Sequence, residues 1–175
     1  MKTPNLCVLL LVFAFTGCAT LKQPLKQIEF EKIEKLVHGQ ATSVQIKEIF
    51  GRPSGVRTTV TEEGHYEFWK YNGMWDDVEV QKASFTFRDG VVVGAVWLPY
   101  DSDAFHDPMA LLTHYKNVKF EMKKEGWDKQ GHSYSDDVHY RNPESGISFK
   151  VNASHNTVEV IDLWSPSSRN ISSQL

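Results

Sequence analysis

Cysteine, histidine and clustered carboxylates are the groups through which this chain could do chemistry. Its two cysteines are Cys7 and Cys18, both near the amino end. His132, Asp136, Asp137 and His139 crowd one short stretch. Imidazole and carboxylate at that spacing can ligate a metal, but a solvated polar loop is the simpler reading. Asp101, Asp103 and Asp107 lie between Pro99 and Pro108 and lack the regular spacing and glycine of a calcium loop. His65, His106, His114 and His155 are scattered and read as surface. Glu29, Glu31 and Glu34 read as the wet face of a helix. There is no Gly-x-Ser-x-Gly elbow, no His-Glu-x-x-His, no cysteine-pair metal signature and no glycine-rich phosphate loop. The expectation is a chain with no catalytic residue, no metal and no cofactor.

Recognition is the better prospect. Trp69, Tyr71, Trp75 and Trp97 fall on or beside predicted strands. By alternation, Phe85, Phe87 and Trp69 face inward. Trp75, with Met74 beside it, sits in a stretch read as a loop over 72–79, where alternation gives no reason for burial. Aromatic anchors are favoured at protein interfaces. Trp75, Met74, Trp69 and Tyr71 are therefore the candidate protein-binding residues, with Trp75 foremost.

The amino end specifies where such a protein would work. Met1-Lys2 is a short positive region, and residues 6–15 are an unbroken apolar run. Thr16-Gly17 then precede Cys18. This is the layout of a secretory signal peptide, and the run falls short of the roughly 20 residues that span a bilayer. Small residues followed at once by cysteine resemble the lipobox of bacterial lipoproteins. The resemblance implies that Cys18 becomes the first mature residue, carrying a diacylglyceryl thioether and an acylated amino terminus, palmitate included. Cys7 leaves with the signal, so Cys18 has no disulfide partner, and acylation removes a lone secreted thiol. Several acyl chains together anchor stably.

Removing residues 1–17 leaves enough chain for one good core or two small ones. The hydrophobic fraction of 41% and aromatic fraction of 12% are globular values. A net charge of −3 argues against a nucleic-acid partner, which needs a basic face.

The elements that must position these residues follow from periodicity. Residues 18–27 read as a tether. Phe30, Ile33, Leu36 and Val37 mark an amphipathic helix over 28–37, with Gly39 as its stop. Thr42 and Gln45 have capping-box spacing ahead of Ile46, Ile49 and Phe50, and Gly51 and Pro53 end that helix. The period then becomes two, over 55–61, 66–71, 80–88 and 91–98. Asp89-Gly90 supplies a two-residue hairpin turn. A Pro- and Asp-rich linker over 99–108 precedes a helix over 109–116. Strands follow over 118–122, 138–141, 147–152 and 158–164, and the Ser-rich stretch 165–175 reads as a disordered tail. The expected fold is α+β: a short helical hairpin packed on an antiparallel meander over 28–98, repeated as a second helix-plus-meander module over 109–164.

Gly39, Thr42, Ile46, Phe50, Gly51 and Pro53, then Trp69-Lys70-Tyr71, then residues 85–91 from Phe85 to Val91, follow a pattern that resembles the SmpA/OmlA family. These are small outer-membrane lipoproteins that include the BamE subunit of the β-barrel assembly machinery. The match covers roughly residues 28–98. It implies an inhibitor-protein-like module, a periplasm-facing outer-membrane anchorage and a non-enzymatic role binding another envelope protein, with barrel-assembly subunits as the named partners. Ala19 after the lipidated cysteine is compatible with export to the outer membrane. The doubled plan leaves an alternative, a tandem inhibitor-like module that binds a periplasmic hydrolase.

Overall fold

The computed structural model describes residues 28–75, 78–100, 103–124 and 137–166. The side chains of 74–79 and 124 are also outside that description. So are the signal, Cys18, the tether, His132, Asp136, and all but the start of the Ser-rich stretch.

Three helices and eight strands are present among the described residues. They are α1 (Phe30–His38), α2 (Ser43–Phe50), β1 (Gly55–Thr61), β2 (Gly64–Trp75), β3 (Val78–Arg88), β4 (Val91–Trp97), α3 (Pro108–His114), β5 (Glu121–Lys124), β6 (Val138–Asn142), β7 (Ile147–Asn152) and β8 (Thr157–Trp164). A 3-10 turn over Ala104–His106 precedes α3. The strands form one antiparallel sheet in the order β1-β2-β3-β4-β8-β7-β6-β5.

This corrects the expected fold class. The molecule is not a helical hairpin on a meander, repeated as a second such module; it is a single sheet dominated by strands. Two physical reasons account for the difference. The pairing of Gly94–Trp97 with Trp164–Ile161 fuses both meanders, and no local sequence signal encodes pairing at that separation. The helices are also too short to act as a layer of their own. They sit over different strands, with α1 over β4 and β8 and Phe50 of α2 on Tyr71 and Phe85.

Local chemistry sets the helix ends. Thr42 and Gln45 complete the capping box: Gln45 N–H donates to Thr42 Oγ1 at 3.3 Å and Thr42 N–H to Gln45 Oε1 at 2.8 Å. Asp107 caps α3 by accepting from Met109 N–H at 2.9 Å, with Pro108 at the first helical position. At the end of α1 the left-handed residue is Gln40 (φ 53°), not Gly39. Gly39 is needed for space, since a Cβ there would lie 2.8 Å from Lys35 O.

The core lies between the helices and one face of the sheet. Phe30, Ile33, Val37 and Ile46 meet Phe85, Phe87, Trp97, Phe149 and Ile161, all fully buried or nearly so. Phe30 is its hub, with ring centroids 5.4 Å from Trp97 and 5.0 Å from Phe105. The region read as a linker thus contributes a buried core residue, Phe105.

Candidate partner-binding face

Strand pairing places partners on the same side of a sheet, and alternate residues on opposite sides. Ala83, Phe85, Ala95, Trp97, Leu163 and Phe149 therefore share the helix-covered side. Their neighbours occupy the other side, and no described helix packs there. One row of that side runs Lys70, Ser84, Val96, Asp162, Ser148, Arg141 and Glu121. The adjoining row runs Arg57, Phe68, Thr86, Gly94 and Trp164. All of these retain solvent exposure. Tyr66 also lies on this side; it is 6% exposed and stands apart from the main core cluster.

The centre of the open face combines aromatic and charged groups. The Arg141 guanidinium sits over the Trp164 ring, 5.7 Å from its centroid. Ser148 Oγ donates to Asp162 Oδ2 at 3.4 Å. Burial pushes the Asp162 carboxyl above its usual range, against the hydrogen bond from Ser148 and the nearby His139. Lys150 bridges buried Asp137 at 2.5 Å and Glu159 at 3.1 Å, and the Asp137 hydrogen bond is the main reason its amine is held above the usual range. Gly94 has no side chain, so the face dips to bare backbone between Thr86 and Trp164. This arrangement of anchors, charge and a notch suits a protein surface.

The residues singled out in the sequence are dispersed. Tyr71 is core: it is 3% exposed, packs on Phe50 and Phe85, and donates its hydroxyl to Gly51 O at 3.2 Å. Burial pushes that hydroxyl up to about 12. Trp69 is partly buried against Phe87 at 4.8 Å, with Nε1 donating to Glu67 Oε2 at 2.9 Å. It also lines a pocket of about 520 Å³ with Lys47, Arg52 and Pro53. The stretch 72–79 is not a loop. Asn72 to Trp75 pair with Gln81 to Val78 as the arm of a long hairpin, beyond a bulge at Tyr71/Asn72. Trp75 stands near the tip of that arm; its side chain and that of Met74 lie outside the described residues.

Other candidate groups hold the structure together. Glu34 accepts from the Tyr115 hydroxyl and lies 3.2 Å from His114 Nε2, so it ties α1 to the end of α3 rather than facing water. Asp103 pairs with the buried amine of Lys82, which lies 4.7 Å from the Trp97 ring centre and 4.6 Å from that of Tyr100. Burial lowers the Lys82 amine and Asp103 opposes that shift. No group of three metal-ligating side chains gathers among the described residues, nor is any described helix long and apolar enough to cross a membrane.

Sequence reasoning missed Trp164, Arg141 and Phe68. The signal was the alternation of 158–164, which puts Trp164 opposite in phase to Leu163 and Ile161. Compared with family models, curated proteins and solved structures, the chain matches none.

Proposed function

We propose that this chain is a non-enzymatic envelope lipoprotein, anchored by lipid on Cys18 to the periplasmic side of the outer membrane, that binds another envelope protein through the open face of its sheet. The observation that carries the reading is the side of the sheet on which no described helix packs, bearing Trp164, Arg141 and Phe68 around the Gly94 notch. The sequence adds the signal-like amino end with its cysteine and the lack of a reactive constellation. The partner class comes from the SmpA/OmlA resemblance, which names subunits of the β-barrel assembly machinery.

The test is a mild-detergent capture of the tagged, lipidated protein, with Trp164→Ala and Phe68→Ala alongside, read by mass spectrometry. The reading expects barrel-assembly subunits, with recovery reduced about tenfold or more by Trp164→Ala, the loss of one aromatic anchor. A single soluble hydrolase would make the protein an inhibitor instead. Equal recovery by both variants would remove the open face from the account.

A further inference from the structure

Among the described residues the sheet has two edge strands, β1 and β5, and they are built differently. β5 is four residues long and reads Glu-Met-Lys-Lys, a short edge blunted by charge. β1 is seven residues, Gly-Val-Arg-Thr-Thr-Val-Thr, with a single charge and no proline. Six of the seven are exposed, and Val56 and Val60 are 55% and 77% exposed. In an antiparallel pair only alternate residues turn their N–H and C=O toward the partner. Half of the β1 backbone groups therefore point away from β2 into solvent.

The sequence of β1 is complementary to itself. In an antiparallel pairing about a two-fold axis at Thr58, Val56 faces the partner's Val60, Thr58 faces the partner's Thr58, and Arg57 faces the partner's Thr59. Valine and threonine pairs of this kind stabilise neighbouring strands, and like charges directly opposite destabilise them. Here no like charges stand directly opposite, and the two Arg57 side chains are diagonal neighbours beside the axis. Val56 pairs with Trp69 in the register, so the valine row continues onto that aromatic ring.

We infer that two copies of this chain associate edge to edge through β1, joining their sheets into one. The contact is isologous, and the blunted β5 edge stops further growth, so it closes at two. The occupant is a second copy because the strand matches itself in register, charge and side-chain type. The inference does not depend on the partner-binding reading, and each can fail without the other.

Native mass spectrometry of the full chain released from detergent micelles reads the number of protomers directly. Val60→Lys, Val56→Glu and the combined variant accompany the wild type, with circular dichroism reporting that each is folded. The wild type is expected to give a dimer whose fraction rises with concentration. Either single substitution perturbs two symmetric pairs and weakens association about tenfold. The combined variant sets a carboxylate opposite an amine at both sites and restores the dimer. A monomer at every concentration overturns the inference, as does a dimer indifferent to both single changes. A combined variant no better than the singles overturns the Thr58-centred register.

Discussion

At the scale of single residues, backbone space and burial govern what this chain tolerates. Gly146 has φ +66°, and a Cβ there would lie 2.1 Å from Trp164 O, which is backbone and cannot step aside. The close approach is bound by a Trp164 N–H to Gly146 O hydrogen bond of 2.8 Å. Gly146→Ala is expected to cost about 2–4 kcal/mol, read by denaturant unfolding. It should also displace Trp164 and so weaken the open face. Asp162 makes a second case. Burial raises its folded pKa, so between the unfolded and the folded value the native state holds a proton that the unfolded chain has lost. Stability therefore falls as the pH rises from the ordinary aspartate range, about 4, through the raised folded value. Asp162→Asn removes that slope and should raise the melting temperature near neutral pH, with the gain shrinking as the pH is lowered. An unchanged pH profile in the variant would show that burial at Asp162 is compensated.

At the scale of elements, what was legible in the sequence depended on how local its cause was. Thr42 and Gln45 announce α2 because the capping box closes within four residues. Asp89 and Gly90 announce the β3–β4 turn because both need positive φ, which they adopt at 52° and 79°. Asn72 and Gly73 carry the same kind of loop signal and misled. The pairing with Gln81 and Val80 holds them in the hairpin, and Gly73 leaves room for the Lys82 side chain, since a Cβ on Gly73 would lie 3.1 Å from the Lys82 Cβ. Glu34 looked like a solvated helix position because its partners, His114 and Tyr115, are far away in the chain. Glu34→Ala would leave the buried Tyr115 hydroxyl without its acceptor, at a cost of about 1–3 kcal/mol. Burial, aided by Glu34, holds the Tyr115 hydroxyl far above the usual tyrosine range, and burial holds Tyr71 near 12. Unfolded tyrosines ionise near pH 10 while these two do not. Stability present below about pH 10 is thus lost as the pH climbs past it, and ultraviolet titration should show two phenols ionising only with unfolding.

At the scale of the whole molecule, the β4–β8 ladder is what the sequence concealed. Most strands of each meander could be read from alternation and turn residues, the arm over 72–79 and the true bounds of β5 excepted, but which strands meet depends on the combined packing of Trp97, Ile161 and Phe30. The physical consequence is cooperativity. Ile161 is fully buried opposite Trp97 and Phe149, and Ile161→Ala should cost about 2–5 kcal/mol. Because one sheet carries both halves, calorimetry should show a single transition moved down as a unit. Two transitions, with only the later one shifted, would mean that the meanders melt separately.

The same arrangement generates the open face, since every described helix lies on one side of the sheet. The proposed function therefore turns on one measurement: carbene footprinting of the protein in native membranes against the purified protein. The account predicts that labelling falls at Trp164, Arg141 and Phe68 when the partner is present and holds steady at exposed Val44 and Met109 on the helix side. Labelling that falls on the helix side, with Trp164, Arg141 and Phe68 unchanged, would contradict it.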